Sequence, residues 1–376
     1  MRRNNGTLIL ILFVIFALLL SGFGIYASEK GVGDVSARAA ALYDPEGERF
    51  LYTKNAHERL YMASTTKIMT AIVVAENLPL DRVMSIPAEA VGTEGSSAYF
   101  KEGEMLTVEG ALFALLLRSA NDAAVALAIE LSGSTEAFAL KMNEKADSLG
   151  LTDTNFTNPH GLHDEEHYTT AADLAKIAAA AMKNETVSRI VREKSRTVNT
   201  SLGTHLFHNH NKLLWKYEDA VGVKTGFTKN AGRCLVGAAK RDGVELISVT
   251  LDAPDDWHDH EVMLDFGFSL LESRVLFSDG EYAYTLPVIG GAEDFATVAP
   301  AYPARAVLPK DAPLPTGEVR LPRYLVAPTE VGDTVGELVF KDGDKVIARV
   351  PMVAKSEVQK QKKKGFTDKI KDFFKK

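Results

Sequence analysis

The chain of 376 residues contains a single cysteine, Cys234, and only two tryptophans. One cysteine cannot form a disulfide within the chain, and it excludes the cysteine-rich ligand sets of zinc knuckles and iron–sulfur sites. We expect Cys234 to be a small buried strand residue. The chain also has no excess of positive charge, because its 50 acidic residues outnumber its 43 Lys and Arg and give a formal net charge of −7, so we expect no nucleic-acid partner. The hydrophobic content of 46% and the charged content of 25% are those of a globular protein, which excludes disordered and polytopic membrane chains.

Basic residues are concentrated at the end of the chain. Residues 355–376 contain nine lysines against three acidic residues, so the preceding residues are more acidic than the net charge suggests. Phe366, Ile370, Phe373 and Phe374 recur at helical spacing, which would place them on one face of a helix. A short basic amphipathic helix is typical of an interfacial membrane anchor, and the alternative is a solvated tail. We expect an anchor over residues 355–376, because a solvated tail does not explain the terminal phenylalanines.

The first residues have the pattern of a targeting segment. Arg2 and Arg3 precede an unbroken apolar run from Leu8 to Leu20, and small residues follow it. A positive leader, an apolar core of about 7–15 residues and small residues near its end describe a secretory signal peptide. An uncleaved signal anchor is the alternative for residues 1–27, since a weaker apolar stretch continues the run. Either segment predicts that the body of the protein lies outside the cytoplasm, and together with the C-terminal anchor we expect attachment to the outer face of the cytoplasmic membrane.

Strand and helix patterns predict an α+β domain over residues 28–272. Two strand-like runs in residues 35–54 flank a Pro-Glu-Gly turn. Helical spacing then dominates for more than a hundred residues. Within that block we expect Thr107 and Thr170 to be N-caps and Gly150 to be a C-cap.

Strand patterns return after the helical block. Residues 232–240 and 244–252 are joined by an Arg-Asp-Gly turn, which is typical of a β-hairpin, and a helix from Trp257 to Leu271 follows. The simplest packing places both hairpins in one mainly antiparallel sheet, with the helical block inserted beside it. A site at the seam between them would use residues far apart in the sequence.

Proline is unevenly distributed along the chain. Nine of the fourteen prolines lie at or beyond Pro287, and short strand-like segments alternate there with turns. Regular short strands separated by Gly and Pro predict a small all-β sandwich over residues 273–354.

Three short motifs carry chemistry. They are Ser64-Thr65-Thr66-Lys67, Ser119-Ala120-Asn121 and Lys224-Thr225-Gly226. Each alone is weak, and Ser64 could be a helix N-cap beside a solvated lysine. Together and in this order they are the motif set of serine β-lactamases and penicillin-binding proteins. Their contexts also fit, because the first motif opens a helix, the second lies between two helices and the third enters a strand.

The first motif has the parts of an activated nucleophile. A serine hydroxyl is a poor nucleophile at neutral pH and needs a base within hydrogen-bond reach. Residues three apart share one face of a helix, so Lys67 can direct its amine at the Ser64 oxygen. Lysine is a useful base only when burial or a nearby positive charge lowers its pKa, and Lys224 could supply that charge. We therefore expect Ser64 to be the nucleophile and Lys67 the base.

The second motif supplies groups for proton transfer and positioning. We expect Ser119 to pass a proton onward to the leaving group. Asn121 is expected to hold Lys67 and the amide side of the substrate. Ala120 stands between them, where many β-lactamases carry Asp.

The third motif supplies groups for substrate binding. Thr225 offers a hydroxyl, and Lys224 a cation, to a substrate carboxylate. After Gly226, the edge of the strand can present the Phe227 amide to a developing oxyanion. The Ser64 amide, at a helix N-terminus, would face the same oxyanion from the other side.

The chain resembles the serine-type D-alanyl-D-alanine carboxypeptidases, which are low-molecular-mass penicillin-binding proteins. Three longer strings carry the resemblance beside the motifs: ASTTKIMTA from Ala63, NPHGL from Asn158 and VKTGFTKNAGRCL from Val223. The resemblance covers essentially the whole chain and implies the β-lactamase/transpeptidase-like fold. It implies removal of the terminal D-Ala from peptidoglycan stem pentapeptides through an acyl-enzyme at Ser64, without a cofactor. β-Lactams are the inhibitors that it implies.

Two other functions of the same fold stay open. A serine β-lactamase needs a deacylation base, in the commonest class a Glu followed by x-x-Leu-Asn. Glu165 and Glu166 lie in about the right stretch, but no Leu-Asn follows them. A catalytically silent wall-binding scaffold would have no need of the intact Ser64, Lys67 and Ser119.

Histidines raise a different class of chemistry. The segment from His163 to His167 fits the H-x-x-E-H pattern of some zinc peptidases, which requires a helix to bring both histidines to one face. Pro and Gly residues precede the segment, so we interpret it as a polar loop and expect no metal. His160 is expected to pack near the site. The remaining loose cluster, which we interpret as surface residues, comprises His205, His208 and His210.

Overall fold

A computed structural model describes residues 31–361, and the predicted leader over residues 1–27 lies outside them. The described chain divides into two compact units. The first comprises residues 31–241 and 245–270, and the second comprises residues 242–244 and 271–361.

The first unit combines strands and helices, as the sequence predicts. Its strands are β1 (Ala39–Asp44), β2 (Arg49–Lys54), β3 (Val83–Ser85), β4 (Met105–Thr107), β5 (Ser195–Thr200), β6 (Gly203–His208), β7 (Ala220–Thr228), β8 (Gly232–Arg241) and β9 (Val244–Leu251). Its helices are α1 (Lys67–Asn77), α2 (Val108–Phe113), α3 (Asn121–Ser132), α4 (Thr135–Ser148), α5 (Ala171–Lys183), α6 (Glu185–Val191), α7 (Leu213–Lys216) and α8 (Asp256–Leu270). A 3-10 turn over Ala63–Thr66 leads directly into α1, and a π-helical turn over Ala114–Arg118 continues α2.

The central sheet has the strand order β2-β1-β9-β8-β7. The pairs β1–β2, β1–β9 and β7–β8 are antiparallel. Both predicted hairpins therefore lie in one sheet, and the prediction of the fold class is confirmed. Strand β1 is buried along its whole length and begins with three alanines, which let helices α5 and α8 approach it. Strand β7 forms one edge of the sheet.

Helix α1 is the central element of the helical block. Its first eight residues are buried, and it contacts α3, α4, α5 and strand β7. A helix that is apolar around most of its circumference is a core helix, so α1 is fixed from all sides. The predicted N-caps are also present. Thr107 accepts a hydrogen bond from the Gly110 amide, and Thr170 accepts one from the Asp173 amide.

Two short hairpins lie in stretches where the sequence showed no clear strand pattern. Strands β3 and β4 have three residues each, too few for an alternation to stand out. Strands β5 and β6 are longer but mostly exposed, so their sequences are largely polar. The helix that begins at the predicted N-cap Thr107 is not regular throughout, because its last turn is π-helical and ends at Ser119 in the left-handed region, with φ 63°.

The second unit consists of strands, as predicted. They are β10 (Leu271–Val275), β11 (Tyr284–Ile289), β12 (Phe295–Pro300), β13 (Arg305–Pro309), β14 (Gly317–Arg320), β15 (Leu325–Val326), β16 (Thr334–Asp342) and β17 (Lys345–Ala354). Six of them form a sheet in the order β14-β16-β17-β12-β11-β15, and β10 pairs with β13. Ala306 and Leu308 of that pair share an apolar core with Leu338, Phe340 and Met352 of the larger sheet.

Residues 355–361 belong structurally to the second unit. Val358 is buried and pairs with Thr329, and Lys360 pairs with Gly291. These residues were predicted to begin the anchor helix, but they are not helical, and Val358 belongs to an apolar core of the β unit. Residues 362–376, with the rest of the predicted anchor, lie outside the described residues. Among residues 31–361, no single helix is long and apolar enough to cross a membrane. Helices α3 and α4, which are bent by 83° relative to each other, meet the length and hydropathy criteria only when they are taken together.

Candidate active site

Ser64 lies in the 3-10 turn that precedes α1. The turn begins with Ala63 in the left-handed region, with φ 47°. Hydroxyls hold it: Thr65 Oγ1 donates to the Met62 carbonyl at 2.6 Å, and Thr66 Oγ1 donates to the Ala63 carbonyl at 2.8 Å. These side-chain bonds act beside the backbone bond from the Thr65 amide to the Met62 carbonyl at 3.2 Å. Ser64 is therefore presented by a fixed turn at a helix N-terminus.

Two glycines allow neighbouring segments to pack directly on this turn. A Cβ on Gly226 of strand β7 would lie 3.1 Å from the Ser64 amide nitrogen and from the Met62 carbonyl oxygen. Gly161 has φ 84°, and a Cβ there would overlap the Ala63 carbonyl. The nucleophile is thus enclosed by β7 on one side and by the loop at Gly161 on the other.

Lys67 points its amine at the nucleophile. Its Nζ donates to Ser64 Oγ at 2.9 Å and to the His160 carbonyl at 2.6 Å. The side chain is 0% exposed. Burial holds the pKa of Lys67 well below its usual range, the positive charge of Lys224 lowers it further, and Asp122 opposes both effects. A buried lysine with a depressed pKa and a hydroxyl in reach has the properties of a general base.

Lys224 approaches from strand β7 and is also buried, with an exposure of 1%. Its Nζ donates to the Thr225 carbonyl at 2.9 Å. Burial lowers its pKa to about 7. The expected influence of Lys224 on Lys67 is therefore present, although Lys224 itself is covered by protein.

The second motif occupies the junction between α2 and α3. Ser119 lies on the wall of a cleft beside Ser64. The Asn121 amide donates to the Ser96 carbonyl at 2.7 Å, and its side-chain nitrogen donates to the Glu94 carbonyl. Its Oδ1 is buried and has no hydrogen-bond partner among the described residues. The expected bond from Asn121 to Lys67 is therefore absent, and the Lys67 amine donates to Ser64 Oγ and the His160 carbonyl instead.

A cleft of about 330 Å³ is lined by five of the predicted site residues, whereas Lys67, Asn121 and Lys224 are buried and are not part of its lining. Its lining comprises Ser64, Ser96, Ser119, His210, Lys212, Thr225, Gly226, Phe227, Arg233, Asp256 and Trp257. Residues of the three motifs form one part of the cleft lining. Strand β7 lies at the edge of the sheet, so its outer backbone groups are not paired with another strand of residues 31–361. The arrangement places a nucleophile, a base and cationic groups around one opening.

Arg233 was not predicted as a site residue. It lies on β8 opposite Phe227 of β7, and its Nε and Nη2 both donate to Asp256 Oδ1, at 3.1 and 2.6 Å. Unlike Lys224, its side chain is 43% exposed. The string VKTGFTKNAGRCL contains it, but only strand pairing shows that it reaches the cleft.

Comparison with known proteins decides the family. Residues 26–255 match the family described as D-alanyl-D-alanine carboxypeptidase. The chain belongs to this family. Residues 271–360 match the C-terminal domain of penicillin-binding protein 5. The predicted function, a D-alanyl-D-alanine carboxypeptidase of cell-wall maturation, is thereby confirmed at the level of the family.

Several D-alanyl-D-alanine carboxypeptidases and related enzymes are similar to the chain. DacF of Bacillus subtilis is 33% identical over 336 residues, which cover 86% of each protein. The structure of the Streptomyces K15 DD-transpeptidase is 37% identical and covers 64% of this chain and 100% of its own, with a TM-score of 0.61. Penicillin-binding protein 5 of Haemophilus influenzae is 27% identical and covers 88% of this chain and 100% of its own, with a TM-score of 0.64.

The NPHGL string of this carboxypeptidase supports the nucleophile turn. Its His160 supplies the carbonyl that accepts from Lys67, and Thr70 Oγ1 donates to the Pro159 carbonyl at 2.6 Å. The ring of His160 is largely buried, and burial lowers its pKa to about 3. The expectation that His160 packs near the site is confirmed, but its backbone makes the contact.

The H-x-x-E-H segment of this carboxypeptidase is a loop, as interpreted from the sequence. His163 packs edge-on against Tyr61. His167 is buried, with Nε2 2.8 Å from Thr66 Oγ1, and its Nδ1 accepts from the Thr157 amide at 3.1 Å. The two rings therefore contact different residues. His167 stabilises the nucleophile turn through Thr66, a role that the sequence analysis did not predict.

The other histidines are also divided between different surroundings. His205 Nε2 lies 2.9 Å from the carboxylate of Glu104, and His208 is exposed. His210 lines the cleft, where burial lowers its pKa to about 4. His208 and His210 are exposed and His205 is half-buried, so the interpretation as surface residues agrees with the structure, although His210 also lines the cleft. Cys234 is buried on strand β8, as expected.

Proposed function

We propose that this carboxypeptidase removes the terminal D-Ala from peptidoglycan stem pentapeptides through an acyl-enzyme at Ser64. The contact of 2.9 Å between Lys67 Nζ and Ser64 Oγ carries the proposal. In the reactive state the neutral Lys67 amine takes the Ser64 proton as Oγ attacks the carbonyl of the penultimate D-Ala. The Ser64 and Phe227 amides face the developing oxyanion.

The second half of the reaction releases the products. The bond between the carbonyl carbon and the amide nitrogen breaks, and a proton passes from Lys67 through Ser119 to the nitrogen of the departing D-Ala. Asn121 positions the amide side of the substrate. Water then hydrolyses the Ser64 ester, with Lys67 again as base, which restores the free hydroxyl.

The substrate carboxylate would bind at the third motif. The Thr225 hydroxyl lies on the cleft wall, and two cations act on the same region. Lys224 is buried and contributes mainly through its field, whereas Arg233 is partly exposed and fixed by Asp256. A carboxylate that binds beside a fixed guanidinium gains a charge-assisted hydrogen bond.

A mass measurement tests the proposed acyl-enzyme. We expect benzylpenicillin to form an adduct that maps to Ser64, since a β-lactam offers a strained amide and a carboxylate to the same groups. The Ser64→Ala variant is the control and should form none. No adduct on the wild type would support a silent scaffold, and rapid loss of the adduct as penicilloate would support a β-lactamase. An adduct on a different residue would overturn the assignment.

Removing the substrate carboxylate should weaken processing. Capping a D-Ala-D-Ala peptide as its amide is expected to cost roughly 1.5–3 kcal/mol in kcat/KM, the value of a hydrogen bond to a charged group. Arg233→Gln should process acid and amide with more similar efficiency than the wild type does. Lys240→Gln changes an exposed lysine at the far end of the same strand and is the matched control. Equal discrimination by Arg233→Gln and the wild type would remove Arg233 from the carboxylate site.

We further propose that the protein acts outside the cytoplasm and attaches to the membrane through its C-terminal residues. Peptidoglycan substrates lie there, and residues 1–27 have the pattern of a signal peptide or signal anchor. Because residues 355–361 complete the β unit, the proposed anchor comprises residues 362–376. Each apolar residue that enters the interface could contribute up to roughly 1.5–3 kcal/mol. Each lysine adds about 1 kcal/mol near anionic lipid.

Vesicle binding tests the anchor. A protein without residues 1–30 should bind anionic vesicles, and truncation after Gln361 should abolish that binding. The Phe373→Ser and Phe374→Ser double variant should weaken it with the charge unchanged, and high salt should weaken it by screening the lysines. Release of D-Ala from a soluble peptide should survive truncation. Equal vesicle binding with and without residues 362–376 would show a solvated tail.

A further inference from the structure

Asp122 is a buried carboxylate beside the second motif that the mechanism above does not use. It lies in the first turn of α3, next to Asn121, and it is 1% exposed. All of its hydrogen-bond donors are neutral. Oδ1 accepts from the amides of Ala98 at 3.1 Å and Ala123 at 2.9 Å, and Oδ2 accepts from Ser97 Oγ at 2.7 Å and the Phe100 amide at 3.3 Å.

Three of these donors belong to the segment of residues 94–100, which supports Asn121. The Glu94 carbonyl accepts from the Asn121 side chain, and the Ser96 carbonyl accepts from its amide. Ser96 also lines the catalytic cleft. One carboxylate therefore fixes the backbone that, in turn, fixes Asn121.

Asp122 is also the negative charge that acts on the buried base. The other titratable groups that act on Lys67 are Lys224 from β7 and His160 and His167 from the loop over residues 155–169. Burial keeps both imidazoles uncharged near neutral pH, since it lowers their pKa values to about 3 and about 4. The electrostatic balance at Lys67 thus sets the positive charge of Lys224 against the negative charge of Asp122.

We propose that Asp122 is a positioning residue for acylation, which clamps the 94–100 segment behind Asn121 and supplies a buried negative charge that stabilises protonated Lys67. The N-terminus of α3 and four neutral hydrogen-bond donors surround this carboxylate. The inference rests on the proposed role of Lys67 as base. It assigns to the residue after the second motif both a structural and an electrostatic contribution to that base.

The pH dependence of acylation by benzylpenicillin tests the charge. In Asp122→Asn the carboxylate that favours protonated Lys67 is lost, so the pKa of Lys67 falls. The free amine then forms at lower pH, and the acid limb of the acylation profile should move to lower pH by a few tenths of a unit to about one unit. Ser97→Ala is the matched control, because it removes one hydrogen bond to the same carboxylate and leaves its charge. Its acid limb should coincide with that of the wild type.

A loss of folded protein cannot imitate this result. Partial unfolding of Asp122→Asn lowers the amount of adduct that forms but leaves the pH of the acid limb of the acylation rate unchanged. Thermal melting measures the folded fraction separately. Coinciding acid limbs for Asp122→Asn and the wild type would overturn the electrostatic role, as would an equal shift in Ser97→Ala. If the wild type forms no Ser64 adduct, the proposed function has failed instead. The two failures are therefore distinguishable.

Discussion

Replacing Lys67 by Ala is expected to slow acylation of Ser64 by roughly 10²–10⁴-fold, the usual effect of losing a general base. The amine donates to Ser64 Oγ at 2.9 Å, and no other side chain of residues 31–361 forms a hydrogen bond with that oxygen. Lys67→Arg should not restore the rate, because a guanidinium stays protonated and cannot take the serine proton. The measurement is the rate of adduct formation with benzylpenicillin, together with D-Ala release from a peptide.

A surface lysine provides the control for this change. Lys141 lies on the exposed face of α4, so the Lys141→Ala variant should be acylated at the rate of the wild type. Thermal melting of Lys67→Ala separates lost chemistry from lost fold. Near-normal turnover in Lys67→Ala or Lys67→Arg would move the base to another group, and Ser119 on the same cleft wall would be the first to examine.

Local patterns predicted those parts of the site that depend on local geometry. The three-residue spacing from Ser64 to Lys67 determined that their side chains share a face, and the structure has them in contact. Both hairpins were predicted for the same reason, since turn residues between apolar runs fix antiparallel neighbours. The single sheet followed because each hairpin needs a partner to bury its apolar face.

The parts that were missed depend on contacts between distant segments. The His160 carbonyl that binds Lys67 has no side-chain signature, because every residue carries a carbonyl. Arg233 reaches the cleft only through the pairing of β8 with β7, and His167 reaches Thr66 across a hundred residues of chain. The bond expected from Asn121 to Lys67 was wrong for the same reason. Sequence spacing does not show that the Asn121 side-chain nitrogen donates to the Glu94 carbonyl, nor that its Oδ1 is left without a hydrogen bond from Lys67.

Gly161→Ala is expected to reduce acylation by about 10²-fold or more, although Gly161 does not line the catalytic cleft. Its Cβ would overlap the Ala63 carbonyl, and backbone on both sides leaves no flexible group to move away. Either the turn that carries Ser64 or the loop that carries the His160 carbonyl must shift. A displacement of about 1 Å between reacting groups is enough for a loss of that size.

Gly133 is the matched control for Gly161, because it separates steric overlap from backbone strain. Gly133 ends α3 with φ 79°, close to the φ of 84° at Gly161, and no atom lies within 4 Å of its Cβ position. In both Ala variants the left-handed backbone conformation therefore costs about 1–2 kcal/mol, and only Gly161→Ala also displaces the nucleophile turn. Gly133→Ala should melt at a lower temperature but acylate at the wild-type rate once folded. Similar acylation rates for the two folded variants would show that the NPHGL loop does not determine the position of Ser64.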